Sequence, residues 1–413
     1  MSPHGEHPSD FTLELGPMGP IGEPYSILLR INRNCPWNRC LFCPVYKNSR
    51  FSPRTREEIQ KDIDALVRTS TLLQESSWYM GLSGRISREV LIEAIRTRPE
   101  LYGEDLHTCT PDQFHALRTL NSVANWLSRG ARRVFLQDAD ALAMRPSELA
   151  VVLRSLKKSF PSIESITCYA RSKTCSQRSY DDLKELHEAG LTMCFVGIES
   201  GCDEILSFMK KGVTKAQHIE GGVQIMASGL QMAAFIMPGL AGRSRLSGEH
   251  VMQTLDVLNM IHPSEVRVRS LAVIMGTPLF ETYQTDGFCA PGEEQMIDEI
   301  GMIIEGLDFD CEFETLQMTN TLFHTRGRFS RIREEMLEKI QWFQSLCTDE
   351  KAEVILESYV HGGYLDFVQS WGRYDDELRR TISEAQWHIA TGGPDALARA
   401  ERAVFMIKSR GIP

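Results

Sequence analysis

The stretch Asn34-Cys-Pro-Trp-Asn-Arg-Cys-Leu-Phe-Cys-Pro-Val-Tyr-Lys47 carries three cysteines, Cys35, Cys40 and Cys43, separated by four residues and by two. It follows Tyr25-Ser-Ile-Leu-Leu-Arg-Ile-Asn32, a run with the length and apolar content of a β-strand. Three thiolates in one loop can hold three irons of a cubane cluster and leave the fourth iron open to a ligand, whereas a four-cysteine site is closed. The triplet could instead bind zinc with a distant His or Cys as fourth ligand. Zinc sites usually pair C-x2-C knuckles, and the sequence has no second knuckle. An iron–sulfur site is the favoured reading, with zinc the alternative.

Outward from the triplet, strands and helices alternate. Thr55-x-x-Glu58 is a capping box that opens a helix. Residues 70–130 read as a mostly helical insertion. Arg133-Val-Phe-Leu-Gln137 is a second strand, and Pro146 with Glu148 starts the next helix. Strands follow at 165–169, 192–197, 230–237 and 265–273, with helices between them near 180–189, after Thr214 and after Ser247. Six strands joined by helices imply a parallel sheet with right-handed crossovers. The expected fold is α/β, a partial (β/α)6 TIM-like barrel. Its ligands bind where the strands end and the βα loops converge, which is also where the triplet lies. Beyond about residue 295 the strand signal fades, and helices are expected at 334–347, 350–368, 375–389 and 394–408. The domain reading is an N-terminal extension over 1–24, a core barrel over 25–295 and a mostly helical region over 296–413.

The chain of 413 residues is 42% hydrophobic and 24% charged, ordinary for a protein with a large core. Its formal charge of −10 argues against a surface that coats nucleic acid, without excluding a local contact. The basic run Arg33, Arg39, Lys47, Arg50, Arg54 and Arg56 reads either as a solvated face or as charge compensation for a cluster and its anionic neighbours. The first residues are polar and lack the apolar centre of a signal peptide, and no apolar run reaches membrane-spanning length, so the expected location is the cytoplasm. There the eight cysteines outside the triplet read as reduced thiols in the core.

Four further segments fall at strand ends on the triplet's side. Phe135-Leu-Gln-Asp-Ala-Asp140 puts two carboxylates after a strand, able to meet a metal or an ammonium group; an Asp N-cap would look the same. Gly197-Ile-Glu-Ser-Gly201 offers a carboxylate to ribose hydroxyls; a plain turn would look the same. Pro238-Gly-Leu-Ala-Gly242 and Met275-Gly-Thr-Pro-Leu-Phe280 are weak signals alone. Arg267 and Arg269 alternate with Val266 and Val268, so one parity must face the barrel lumen. The arginines are expected to face the helices and pair with acids; facing the lumen, they could bind a substrate carboxylate or phosphate. His324 is expected to be structural.

Taken together, the triplet, the Phe135–Asp140 segment and Val196-Gly-Ile-Glu-Ser-Gly-Cys-Asp-Glu-Ile-Leu206 with Lys210-Lys-Gly212 resemble the radical S-adenosylmethionine (radical SAM) superfamily over roughly residues 20–325. The pattern looks most like relatives of the branch that includes oxygen-independent coproporphyrinogen oxidases and the Elongator catalytic subunit. The superfamily's usual cysteine gaps are three and two; here the first is four, which marks a subgroup.

The resemblance implies an enzyme that reductively cleaves SAM and abstracts hydrogen from a small-molecule substrate. Cys35, Cys40 and Cys43 would ligate a 4Fe–4S cluster. SAM would be met by Phe42, Gln137, Asp138, Asp140, Tyr169, Arg171, Glu199 and Lys211, with Met237 and Gly239 beside the adenine. A low-potential donor such as flavodoxin or ferredoxin would be a partner, and a membrane would not. The roughly 25 residues before the first strand leave no room for a cobalamin-binding domain. The competing expectation is a non-catalytic metal- or cluster-binding interaction protein on the same kind of barrel.

Overall fold

The computed structural model describes residues 6–19, 22, 25–104 and 108–411. Of the expected extension, residues 1–5, 20, 21, 23 and 24 lie outside the described residues. Ten strands occur among those described: β1 (Ile27–Arg30), β2 (Asn32–Arg33), β3 (Ser52–Pro53), β4 (Arg133–Gln137), β5 (Ser165–Ala170), β6 (Met193–Glu199), β7 (Gln231–Ile236), β8 (Glu265–Val268), β9 (Glu312–Glu314) and β10 (Arg326–Arg328). β2 and β3 form a small ribbon that frames the cysteine loop. The other eight make one sheet in the order β1-β4-β5-β6-β7-β8-β9-β10. Every pairing is parallel except β9 with β10.

Strand parity divides the sheet's residues into two sets. Val134, Leu136, Ile166, Cys168, Cys194, Val196, Met232, Ala234, Val266 and Val268 join the large core beneath the crossover helices. The opposite parity gives a separate cluster of Phe135, Phe195, Ala233 and Phe235, with Leu28, Tyr169 and Met193. In a flat sheet, strands two apart stand about 10 Å from each other. Phe135 on β4 and Phe195 on β6 have ring centroids only 6.1 Å apart, and the Arg267 guanidinium on β8 lies 4.6 Å from the Phe195 ring centroid. This face is therefore concave and aromatic, the lumen of an open barrel with β1 and β10 at its edges.

Local sequence explains the main helices. The capping box at Thr55 and Glu58 opens Arg56–Tyr79, and a second at Thr110 and Gln113 opens Pro111–Ser128. With Arg88–Thr97, these are the main helices between β3 and β4. Pro146–Ser159 ends on Lys157 and Lys158, suited to its carbonyl end. Thr214 caps Lys215–Ala227. No helix among the described residues is long and apolar enough to cross a membrane.

Two expectations are corrected. The last strand, expected over 265–273, is β8 and stops at Val268, and β9 and β10 extend the sheet beyond residue 295. Each has three residues, too few for a readable alternation, and β9 reads Glu-Phe-Glu with its carboxylates on the lumenal parity. The expected 350–368 helix is two helices, Thr348–Val360 and Tyr364–Ser370, separated at Gly362-Gly363, where Gly363 has φ +82°.

Candidate functional site

The cysteine loop leaves β2 at the mouth of the lumen and is tied down by its own polar groups. Asn34 and Asn38 take left-handed backbone (φ +69° and +48°), a conformation that Asn tolerates. The Asn34 amide donates to the Arg50 carbonyl at 2.7 Å, and the Asn38 amide to the carbonyls of Tyr46 and Ser49. Lys47 Nζ donates to the Cys40 carbonyl at 2.6 Å. Trp37 Nε1 donates to the Lys210 carbonyl at 2.7 Å, and Leu41 N–H to the Met209 carbonyl at 3.0 Å, docking the loop on the β6 crossover.

Asp138 fixes the loop from below. Fully buried, it accepts from Arg30 at 2.8 Å, from Asn34 N–H at 2.9 Å and from Tyr46 O–H at 3.1 Å. Burial, with the Asp138 charge beside it, pushes the Tyr46 hydroxyl well up and keeps it neutral. Asp140, also buried, accepts from Thr174 at 2.5 Å and from Arg171 N–H at 3.4 Å. Burial raises it to about 6. Gln137 accepts from Gly16 N–H at 2.9 Å and donates to the Met18 carbonyl, so it holds the N-terminal segment across β1 and β4. None of Gln137, Asp138 and Asp140 lines the cavity; Ala139 between them does.

β6 carries the most unusual backbone of the site. Its register against β7 shifts between Gly197 and Glu199, and Glu199 has φ +65°. A bulge with a left-handed acidic residue is backbone strain of the sort found at functional sites. It aims the Glu199 carboxylate at Lys211 Nζ, 3.1 Å away, with both side chains mostly covered. Burial pushes the Lys211 ammonium down, but Glu199 and the Cys40 sulfur outweigh it, and the net shift is upward. Lys211 Nζ also lies 5.8 Å from the Phe42 ring centroid. Gly212 follows with φ +70° and packs against the Trp37 indole, where a Cβ would overlap the ring.

Cys35, Cys40, Cys43, Phe42, Tyr169, Arg171, Glu199, Lys211 and Met237 all line one cavity. Gly239 does not: its N–H donates to Glu299 at 2.6 Å, away from the lumen. His324 is exposed and also outside the cavity. Its far wall is the chain after β8, from Arg269 to Ile274. The expectation for the two arginines is corrected, because their parity is lumenal. Arg267 pairs with Glu265 at 2.9 Å and Glu314 at 3.6 Å inside the lumen, under Phe195 and Phe235, while Arg269 reaches the cavity. Glu265 shares their parity on a strand the sequence already placed, while Glu314 comes from β9, so one of the two acids beside Arg267 lay in an element the sequence did not reveal. Lys173, Phe195, Phe235 and Arg269 complete the lining. Half of the basic run is neutralised locally: Arg33 pairs with Glu14 and Glu58, Arg54 with Asp62, and Arg56 with Glu57.

The three cysteines are unbridged, and their sulfurs feel one another's charge. Burial raises the Cys40 and Cys43 thiols, and metal ligation overrides such a shift by deprotonating a thiol outright. Among the described residues no three His, Cys, Asp or Glu side chains converge on one point as a single-ion site requires. Three thiols on one loop fit a multi-iron cluster, whose thiolates bind separate irons. The cavity's empty space is about 1280 Å³ including its open mouth.

An open parallel α/β barrel with a free thiol triplet, a lysine–glutamate pair and an aromatic lumen defines the class of protein. No family model matches the chain. Over 130 residues it is 27% identical to the tRNA uridine(34) acetyltransferase of Methanocaldococcus infernus, covering 32% of this chain and 24% of that protein. The chain thus matches about a quarter of that curated relative's length. In structure it is similar to the archaeal Methanocaldococcus infernus Elp3 with an N-terminal deletion, at 16% identity and a TM-score of 0.41, covering 56% of this chain and 60% of that one. It is also similar to the radical S-adenosylmethionine methyltransferase TsrM from Kitasatospora setae, with cobalamin and a [4Fe-4S] cluster bound, at 14% identity and a TM-score of 0.40, covering 65% and 41%. In its cysteine triplet, the order of its strand-end motifs and its open barrel, the chain resembles the radical SAM superfamily.

Proposed function

We propose that this protein is a radical SAM enzyme acting on a small molecule. The observation that carries the reading is the meeting of Cys35, Cys40 and Cys43 with the Glu199–Lys211 pair on one cavity above an aromatic lumen. Cys35, Cys40 and Cys43 would hold a 4Fe–4S cluster, which together with SAM would supply one-electron reductive cleavage of the sulfonium and hydrogen-atom abstraction from substrate. The electron comes from a low-potential donor of the flavodoxin or ferredoxin class.

The chain's own residues do the remaining work. Lys211 and Arg171 present cations to the SAM carboxylate, and Glu199 accepts from ribose hydroxyls. Phe42 and Met237 offer flat and apolar surface to the adenine. Asp138 and Tyr46 hold the loop that carries the cysteines. Phe135, Phe195 and Phe235 keep the lumen dry, which strengthens every charge–charge contact at its mouth and protects a reactive radical. Arg267, neutralised by Glu265 and Glu314, closes the floor.

Metal analysis after anaerobic reconstitution with iron and sulfide tests the site. Close to four irons and four sulfides per chain are expected, and a variant with all three cysteines changed to Ala should hold none. Stoichiometric zinc without iron would instead support a non-catalytic metal-binding barrel.

A further inference from the structure

Four cations line the cavity, Arg171, Lys173, Lys211 and Arg269, against one carboxylate, Glu199. This excess stands out in a chain of net charge −10. Three of the four belong to the cysteine side. Lys211 pairs with Glu199, the Arg171 guanidinium donates to the Lys211 carbonyl at 3.1 Å, and Arg171 and Lys173 stack on Trp37 at 5.3 and 5.9 Å. Arg269 stands apart, on the wall formed by Ser270, Leu271, Ala272 and Ile274.

Most arginines of this chain that are partly or fully buried have acid partners. Arg30, Arg33, Arg54, Arg267 and Arg410 each have at least one carboxylate within 3.6 Å. Arg269, half-buried, has no carboxylate within ion-pair distance among the described residues. Its charge is felt by the buried Tyr364 hydroxyl, which it draws downward against the larger upward push of burial. Its backbone, by contrast, is tightly held. Arg269 N–H donates to the Ile236 carbonyl at 3.0 Å. Asn320, fully buried, accepts from both Ser270 N–H and Ser270 O–H at 2.9 Å and donates to the carbonyls of Val268 at 2.8 Å and Thr315 at 3.0 Å. Two of these bonds, from Ser270 N–H and to the Val268 carbonyl, clamp the two peptides flanking Arg269. A tightly held backbone that sets an arginine with no carboxylate partner among the described residues on the wall of a mostly apolar cavity is the arrangement of a preorganised anion anchor.

We infer that Arg269 binds an oxyanion on the substrate, and that the substrate is a largely apolar small molecule with one carboxylate or phosphate. The fork of the guanidinium would hold the anion against the far wall. The apolar body would lie on Phe195, Phe235 and Leu271, facing the cysteine side. The inference rests on the functional reading above for the word substrate, but not for the binding itself.

The test measures binding of four probes to the full chain: phenylacetate, phenyl phosphate, inorganic phosphate and benzyl alcohol, each at constant ionic strength, with and without the reconstituted cluster. Saturable binding of phenylacetate or phenyl phosphate, tighter than that of inorganic phosphate or benzyl alcohol, is expected. Which of the two binds tighter separates the carboxylate from the phosphate. Arg269→Gln should weaken that binding tenfold or more, while Arg269→Lys should keep part of it. Far-ultraviolet circular dichroism and the melting temperature without probe show that each variant is folded. Should Arg269→Gln not fold, Arg269→Lys serves, and unchanged affinity for both anions there overturns the inference. Equal binding of all four probes, or undiminished binding by folded Arg269→Gln, also overturns it. Anion binding that depends on Arg269 in a chain that takes up no iron would sink the radical SAM reading and leave the anchor standing.

Discussion

The Glu199 carboxylate lies 3.1 Å from Lys211 Nζ, and it gets there from a left-handed residue at a bulge in β6. Lys211 lies twelve positions after Glu199, with a short helix, Asp203–Phe208, between them. The crossover thus returns a cation to the strand end it left, beside Cys40. Lys211→Met leaves Glu199 without its partner in a mostly dry cavity. It should cost about 1–3 kcal/mol in urea denaturation, since both groups keep some contact with water, and weaken SAM binding by equilibrium dialysis at least tenfold.

Asp138 joins β1, the start of the cysteine loop and Tyr46 in one buried knot. Asp138→Asn keeps the shape and removes the charge that Arg30 faces. Arg30 retains Glu14 at 3.1 Å, which offsets part of the loss. Breaking a buried pair costs about 3–5 kcal/mol, and a loss near the lower end is expected in denaturant titration. Because Asn34 adjoins Cys35, iron retained per chain should also fall. A variant of full stability and full iron content would show that the knot does not position the loop.

Gly212 sits at φ +70° with the Trp37 indole where a Cβ would go. Gly212→Ala should therefore cost about 1–2 kcal/mol in backbone strain, plus displacement of Trp37 from the loop's edge. Tryptophan fluorescence, compared with a Trp37→Phe control, reports that displacement. Unchanged fluorescence with unchanged stability would contradict the packing described.

Asp140 has a folded pKa of about 6 against an ordinary 3.8, raised by burial. The folded chain therefore holds this proton more tightly than the unfolded chain does. Its contribution to stability is fully present below about pH 4 and is lost as pH rises through about 6. A shift of about two units corresponds to roughly 3 kcal/mol. The stability difference between wild type and Asp140→Asn should move against the wild type by about that amount from pH 4 to pH 7. A difference independent of pH would mean that Asp140 is ionised throughout.

Much of the architecture is legible in the sequence because its signals are local. Arg133–Gln137 and Pro146–Ser159 are bounded by apolar run, proline and charge, and the capping boxes at Thr55 and Thr214 mark where helices begin. The short strands β9 and β10 carry no such signal, and the buried Glu314 of β9 is explained by Arg267, its register partner on β8. The site shows the same division. The cysteines, Glu199 and Lys211 stand in motifs whose spacing places them at one mouth. Gln137, Asp138 and Asp140 lie at the right strand end too, yet they turn to backbone and side chains beneath the cavity, a choice made by packing. Arg269 stood in plain view, but whether its parity faced lumen or helices depends on the register of β8 against β7 and β9.

The most direct measurement is the release of 5′-deoxyadenosine from the anaerobically reconstituted protein given SAM and dithionite. The radical SAM reading predicts the nucleoside from wild type and none from the variant with Cys35, Cys40 and Cys43 all changed to Ala. No nucleoside from wild-type protein carrying its full complement of iron and sulfide would contradict it.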